Sequence, residues 1–433
     1  MRFNTLPEWL QWQETLHFTE VDPGLERIGH VWQALGGHST LPFTVITVAG
    51  TNGKGSSVAM LESILRTAGY KTGTYTSPHI LKYNERICIN GQEASDLELC
   101  QTFDKIDKAR EETSLTYFEF ATLAAVELFR QSQIDIAILE VGMGGRLDAV
   151  NCFDTDIALI TPISLDHTNW LGNDRELIGK EKAGIIRANK PVVLSEMSPP
   201  QSIIEHAMVL NSPLHKAGID FRVKKSATNW SWMGNHTTLT ELDFPALEGE
   251  YQLQNAAAVV QVINLLVEHD FSVSKQQIQL GLSNVSLSGR FQRLSGDVEQ
   301  ILDVTHNEQG AQNLAKLLAE SPCSGETYAV LGMLNDKNAV ALSALLKSAI
   351  THWFVGSLSG SRGMTSAQLA EQLTSHINVN KIEQADSIEL ALQQANKKAV
   401  KGDRILAFGS FHTVEEVIRA NQSQSSLNEN KYE

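Results

Sequence analysis

The stretch VAGTNGKGSSVAML, residues 48–61, runs from an apolar segment into a helical pattern through three glycines, a lysine and two serines. Backbone N–H groups at such a strand-to-helix turn face an anion together with the positive end of the helix, so the turn reads as a phosphate-binding loop. Gly50, Gly53 and Gly55 allow close backbone approach, and Lys54 adds a mobile charge. The spacing departs from G-x-x-x-x-G-K-[ST], because Val48 stands at the first glycine position and Gly55 separates Lys54 from Ser56.

Outward from this loop, short apolar runs alternate with helical patterns. FTVITVAG (43–50), DIAILEVG (135–142), DIALITPI (156–163) and KPVVLSE (190–196) have the continuous apolar character of strands buried on both faces of a parallel sheet. SSVAMLESILRTAG and FEFATLAAVELFRQ carry apolar residues at helical spacing, which gives β-α units. The alternation restarts after residue 296 with QILDVTHN, TYAVLGML, THWFVGS and DRILAFGS. The expected architecture is α/β: a mostly parallel, P-loop ATPase-like domain over 1–287, followed by a smaller Rossmann-like α/β domain over 288–433. VSLSGRFQRLSGD (285–297) reads as the linker, and a tail from about 421 to 433 as disordered.

Composition narrows the function classes. A formal charge of −15 argues against a nucleic-acid partner. The sequence holds no apolar run long enough for a membrane helix and does not open on a secretory signal, so a cytoplasmic location is expected. Cys88, Cys100, Cys152 and Cys323 are scattered, which predicts reduced, mostly buried thiols and an oxygen-bound metal rather than zinc.

Four further segments gather polar residues at strand ends. TYTSPHILKYNERI presents Ser77, His79 and Arg86; LEVGMGGRLDAVN presents Glu140, Arg146 and Asp148; TPISLDHTNWLG presents Asp166 and His167. IGKEKAGIIR carries Lys180, Glu181 and Lys182, which by residue type alone read as a solvated helical face.

In order along the chain, GTNGKGSS, TSPHILKYNERI, LEVGMGGRLDAVN, SLDHTNWLG, EKAGIIR, GRFQ and DVTHNEQG resemble the folylpolyglutamate synthase family, in particular its bacterial bifunctional dihydrofolate synthase members, and more remotely the Mur ligases. The resemblance implies an ATP- and Mg²⁺-dependent amide ligase with two metal ions and no organic prosthetic group. A carboxylate would take the γ-phosphate, and the amino group of L-glutamate would then displace it. By the same resemblance Thr51, Asn52, Gly53, Lys54, Gly55 and Ser56 cradle the nucleotide phosphates, Asn255 contacts adenine, and Arg290 and Asp303 contact the nucleotide from the linker and second domain. Ser77, Glu140, His167 and Lys182 match metal positions, the lysine as a carbamate; Lys54, His167, Lys182 and His306 are the candidate catalytic residues.

The same likeness extends to an acceptor pocket. VDPGLERIG and LTYFEFAT resemble the dihydropteroate-binding loops of bifunctional members, which places Asp22, Pro23, Gly24, Leu25, Thr116, Tyr117, Phe118 and Glu119 there, completed by Leu147, Asp148 and Ala149. Pro23 stands where the family's loop carries leucine. The expected partners are dihydropteroate, reduced folates and L-glutamate, acted on by a monomer. A monofunctional folylpolyglutamate synthase, a Mur-type ligase and an ATP-hydrolysing binding switch are the alternative readings.

Overall fold

The computed structural model describes residues 1–429. The described residues form two compact units, residues 1–246 with 250–286, and residues 247–249 with 287–429.

The first unit is built on an eight-stranded sheet of β1 (Thr44–Ala49), β2 (Thr72–Tyr75), β3 (Ile87–Ile89), β4 (Gln92–Glu93), β5 (Ile136–Glu140), β6 (Ile157–Ile160), β7 (Val192–Leu194) and β8 (Leu214–Lys216). Their order is β4-β3-β2-β5-β1-β6-β7-β8. The run from β2 to β8 is parallel, and the β3-β4 hairpin adds antiparallel strands at one edge. Strands β5, β6 and β7 are buried at every position, which is why they read as unbroken apolar runs. Helix Lys54–Thr67 follows β1, and helix Tyr117–Ser132 buries Phe120, Leu123, Val126 and Phe129 in the core shared with β2 and β5. A three-stranded antiparallel sheet follows, β9 (Phe221–Lys225), β10 (Trp230–Gly234) and β11 (Thr238–Leu242), then helix Glu250–Leu265, buried along most of its length, and helix Lys275–Asn284, which ends the unit.

The second unit is a six-stranded sheet of β12 (Gln292–Leu294), β13 (Glu299–Leu302), β14 (Thr327–Leu331), β15 (His352–Gly356), β16 (Ile382–Ala385) and β17 (Arg404–Phe408), in the order β12-β13-β17-β14-β15-β16. Only β12 runs antiparallel.

Three expectations need revision. The polar segment 285–297 contains β12, because Gln292, Arg293 and Leu294 pair in register with Leu302, Ile301 and Gln300. The last helix, Phe411–Glu429, takes in residues 421–429 of the expected disordered tail; the segment has no proline or glycine to stop a helix already under way, and residues 430–433 lie outside the described residues. Of the four thiols, all free, only Cys100 is buried and the other three are half-buried.

Candidate active site

Four neighbouring parallel strands, β2-β5-β1-β6, deliver their C-terminal ends to one edge of the large sheet. That edge is where open α/β sheets bind ligands. Here the loops after β1, β2, β5 and β6 carry Thr51–Gly53, Ser77, Leu147, Asp148 and His167, and helix Arg175–Ala183 adds Lys182.

The phosphate loop is fastened before any ligand arrives. The N–H groups of Thr51 and Asn52 donate to the Pro162 carbonyl at 3.0 and 3.4 Å. The Thr51 hydroxyl donates to the Ser164 carbonyl and accepts from the Ser164 N–H, both at 3.1 Å. These two residues therefore anchor the loop to the segment after β6, and the start of helix Lys54–Thr67 follows it with first N–H groups that have no intrahelical partner. Gly53 caps that helix at φ 92°, and a Cβ there would stand 2.7 Å from Asn255 Oδ1, so the position needs glycine twice over.

Beneath the loop lies a chain of buried amides, of which the sequence reading singled out Asn255 but not Gln252. Gln252 Nε2 donates to Ser56 Oγ at 3.1 Å, and Asn255 Nδ2 donates to Gln252 Oε1 at 3.1 Å. Asn255, expected at adenine, is 2% exposed and packs against Gly53. Gln252 lies three residues before it on one helical face, a spacing visible in the sequence only once Asn255 is suspected.

Two lysines converge on one oxygen. Lys54 Nζ donates to the Gly50 carbonyl at 3.2 Å and to that of Thr51 at 3.3 Å, while Lys182 Nζ donates to the same Gly50 carbonyl at 2.8 Å. Lys182 is 4% exposed, which overturns its reading as a solvated charge. Burial first, and the nearby Lys54 second, bring its ammonium down to about 7, against the opposing pull of Asp166 and Asp148. Its helix is held to the loop after β5: Arg146 N donates to the Glu181 carbonyl at 2.8 Å, and Arg146 pairs with the Glu181 carboxylate at 3.0 Å. Gly145 makes that approach possible, since a Cβ there would meet the Glu181 carbonyl at 2.7 Å.

Ser77 and Glu140 come together because β2 and β5 pair with Tyr75 opposite Leu139; Ser77 N donates to Glu140 Oε2 at 3.3 Å, and Glu140 is 4% exposed. His167, at φ 50°, opens the short helix Thr168–Leu171, and its N–H donates to Asp166 Oδ1 at 2.8 Å. Among the described residues no three His, Cys, Asp or Glu side chains cluster as a metal site.

The acceptor-loop residues divide by task. Thr116 and Glu119 form a capping box at the start of helix Tyr117–Ser132. Asp22 and Glu119 share one cation, Arg27, which sequence reasoning missed although it stands within the quoted VDPGLERIG. Tyr117 lies beneath the Arg86 guanidinium at 5.6 Å, and Phe118 stacks obliquely on Tyr75 at 5.7 Å. Pro23 is exposed, Gly24, Leu25 and Leu147 are half-buried, and Ala149 is buried. Asp148 holds its own loop, accepting from Met143 N at 2.9 Å and Val150 N at 3.0 Å, and burial raises its carboxyl to about 6.

In the second unit, Asp303 is buried and accepts from the N–H groups of Phe291 and Thr305, each at 2.8 Å. Arg290 lies over the Phe411 ring at 5.3 Å, and His306 approaches the same ring at 6.5 Å. Because a carbonyl only accepts, His306 Nδ1 carries the proton in its 2.8 Å bond to Val304 O.

The Mur ligase middle domain matches residues 48–263 and the Mur ligase glutamate ligase domain matches residues 289–411. The dihydrofolate synthase/folylpolyglutamate synthase of Escherichia coli strain K12 is 41% identical over 421 residues, spanning 97% of this chain and 96% of that protein. The solved structure of E. coli FolC in complex with DHPP and ADP superimposes with a TM-score of 0.91 at 40% identity, covering 98% of this chain and 99% of that one. A bifunctional folylpolyglutamate synthase/dihydrofolate synthase with Mn, AMPPNP and L-glutamate bound gives a TM-score of 0.89 at 42% identity, covering 97% and 98%. The chain belongs to the Mur ligase family and, within it, to the bifunctional dihydrofolate synthases/folylpolyglutamate synthases.

Proposed function

We propose that this protein couples ATP cleavage to amide formation, joining L-glutamate to 7,8-dihydropteroate and, as folylpolyglutamate synthase, to reduced folates. The observation that carries the reading is the fastened phosphate loop with Lys54 and Lys182 at one carbonyl, in a chain matched end to end by bifunctional relatives. The acceptor carboxylate attacks the γ-phosphorus of ATP, the bond to the β-phosphate oxygen breaks, and ADP leaves. The amino nitrogen of glutamate then attacks the acyl carbon, phosphate departs, and the nitrogen gives up a proton. Lys54 and the start of helix Lys54–Thr67 spread the charge that builds as two anions meet, and positioning does most of the work.

Mg²⁺, when bound, would neutralise phosphate oxygens and hold them in line. The donor set fits in part: Ser77 and Glu140 offer a hydroxyl and a carboxylate on neighbouring strands, as a hard cation accepts, and His167 is the less typical third. Lys182 as an ammonium would repel a metal. Buried at the Gly50 carbonyl beside Lys54, it becomes a suitable oxygen ligand for a second ion as a carbamate, formed when its neutral amine adds carbon dioxide and loses a proton.

Residues 1–287 take the nucleotide and pterin roles in this reading, with Asn255 at adenine, and residues 288–433 the glutamate-ligase role, with Arg290, Asp303 and His306 serving the nucleotide and the reaction. The enzyme works as a cytoplasmic monomer. No helix among the described residues is long and apolar enough to cross a membrane, which accords with that placement.

The test is purified protein with ATP, Mg²⁺, labelled glutamate and either dihydropteroate or a reduced folate, followed by product mass and phosphate release. Glutamate added to both acceptors, with phosphate released only when acceptor and glutamate are present, is the expected result. Product from reduced folates alone would leave a monofunctional synthase; phosphate release without either substrate would leave a switch.

A further inference from the structure

Residues 17–27 and 114–119 are joined by a continuous set of polar contacts centred on Arg27, which has no assigned role. Arg27, in the first turn of helix Glu26–Ala34, donates from NH1 to Asp22 Oδ2 at 2.5 Å and from NH2 to the Asp22 carbonyl at 2.6 Å. Its other face meets Glu119, with NH2 3.1 Å from Oε1 and Nε 3.4 Å from Oε2. Glu119 is 3% exposed, and its Oε2 already accepts from Thr116 N at 2.8 Å. On the far side of Asp22, His17 Nε2 lies 3.1 Å from Oδ2, and His17 Nδ1 lies 2.9 Å from the Ser114 hydroxyl. A carboxylate only accepts, so in the neutral ring Nε2 carries the proton and Nδ1 accepts from Ser114.

Glu119 Oε1 meets the guanidinium as an ion pair without a hydrogen bond, and Oε2 takes the hydrogen bond from Nε. One guanidinium, used as a fork, grips the backbone and the side chain of one loop with one edge and a buried carboxylate with the other. Lysine, a single point charge, cannot make both sets of bonds. Removing the cation leaves Glu119 buried without its counter-charge and leaves the Asp22 carbonyl without this donor, so the 18–25 segment loses its tie to the start of helix Tyr117–Ser132.

We propose that Arg27 is a positioning residue: it clasps the Asp22–Leu25 loop to the Thr116–Glu119 turn and so presets the pocket for the flat acceptor. The inference rests on the reading of these two loops as the acceptor site. Arg27 lies in none of the contacts of the phosphate loop, so its effect is confined to the acceptor.

The experiment compares wild type, Arg27→Met and Arg27→Lys, each as full chain. In amide hydrogen exchange without ligands, Arg27→Met is expected to exchange about tenfold faster or more over residues 18–25, as fits the loss of a charge-assisted contact from a surface loop, while helix Lys54–Thr67 is unchanged. In ligase assays KM for dihydropteroate is expected to rise about tenfold or more, with KM for ATP within about twofold. Arg27→Lys should recover part of both effects. Unchanged exchange over 18–25, or an equal rise in both KM values, overturns the clasp. If the wild type adds glutamate to neither acceptor, the acceptor reading fails, and the exchange arm alone decides whether Arg27 ties the two loops.

Discussion

Two lysine amines on one carbonyl oxygen are an unusual load for a backbone dipole, and Lys54 and Lys182 place it on Gly50. Lys54 stands on the first turn of its helix and is half-buried, so it can turn from Gly50 and Thr51 to an incoming phosphate. Lys54→Ala should lower turnover by roughly two orders of magnitude or more, the scale of losing one preorganised transition-state contact, with only a modest change in KM; steady-state kinetics with both acceptors checks it. Lys182 is buried and cannot leave in the same way. Lys182→Ala should abolish most ligation while calorimetry still detects ATP binding, and added acetate should restore a fraction of the rate by supplying the missing carboxylate. An active, acetate-insensitive variant would rule out the carbamate.

At the scale of elements, the site depends on how helices start. Thr116 and Glu119 close the first turn of helix Tyr117–Ser132, with Glu119 N donating to Thr116 Oγ1 at 3.2 Å. Thr116→Ala should cost about 1 kcal/mol in denaturant unfolding, whereas Thr116→Ser should be near neutral. The strands and helices that frame the site were legible because their signals are local. β1, β5, β6 and β7 show as apolar runs, and helix Lys54–Thr67 as a period after glycines. The pairing of Ser77 with Glu140 was not legible by spacing, because it comes from strand order: β5 inserts between β1 and β2 although it lies more than sixty residues after β2. Lys182 misled for the same reason, since a charged helix reads as solvated until the loop after β5 is seen to cover it. Gln252 and Arg27 carried no signal of their own; each is polar on a helix and is defined by what another segment brings to it.

Over the whole molecule, the candidate residues fall in both compact units. Thr51–Ser56, Ser77, Glu140, His167, Lys182 and Asn255 belong to the first, and Arg290, Asp303 and His306 to the second. Within the second unit the two nucleotide candidates differ physically: Asp303 holds two backbone N–H groups, while half-buried Arg290 lies over the Phe411 ring and, among the described residues, donates only to the Gly289 carbonyl beside it. Asp303→Asn replaces one acceptor oxygen by a donor facing an N–H, so it should destabilise the second unit by about 1–3 kcal/mol as well as impair activity. Arg290→Ala should leave unfolding nearly unchanged and weaken nucleotide binding. Paired unfolding and calorimetric titration separate the two effects; equal destabilisation by both would count against the division.

The amide chain beneath the phosphate loop also sets a schedule for the nascent chain. Ser56 waits for Gln252, 196 residues later, before its hydroxyl has that partner. At a synthesis rate of roughly 5–20 residues per second this is about 10–40 s on the ribosome. Until helix Glu250–Leu265 emerges, the loop has its glycines and its lysine but no floor, so ATP can stabilise this protein only late in translation, and cannot template the folding of the strands that were made first.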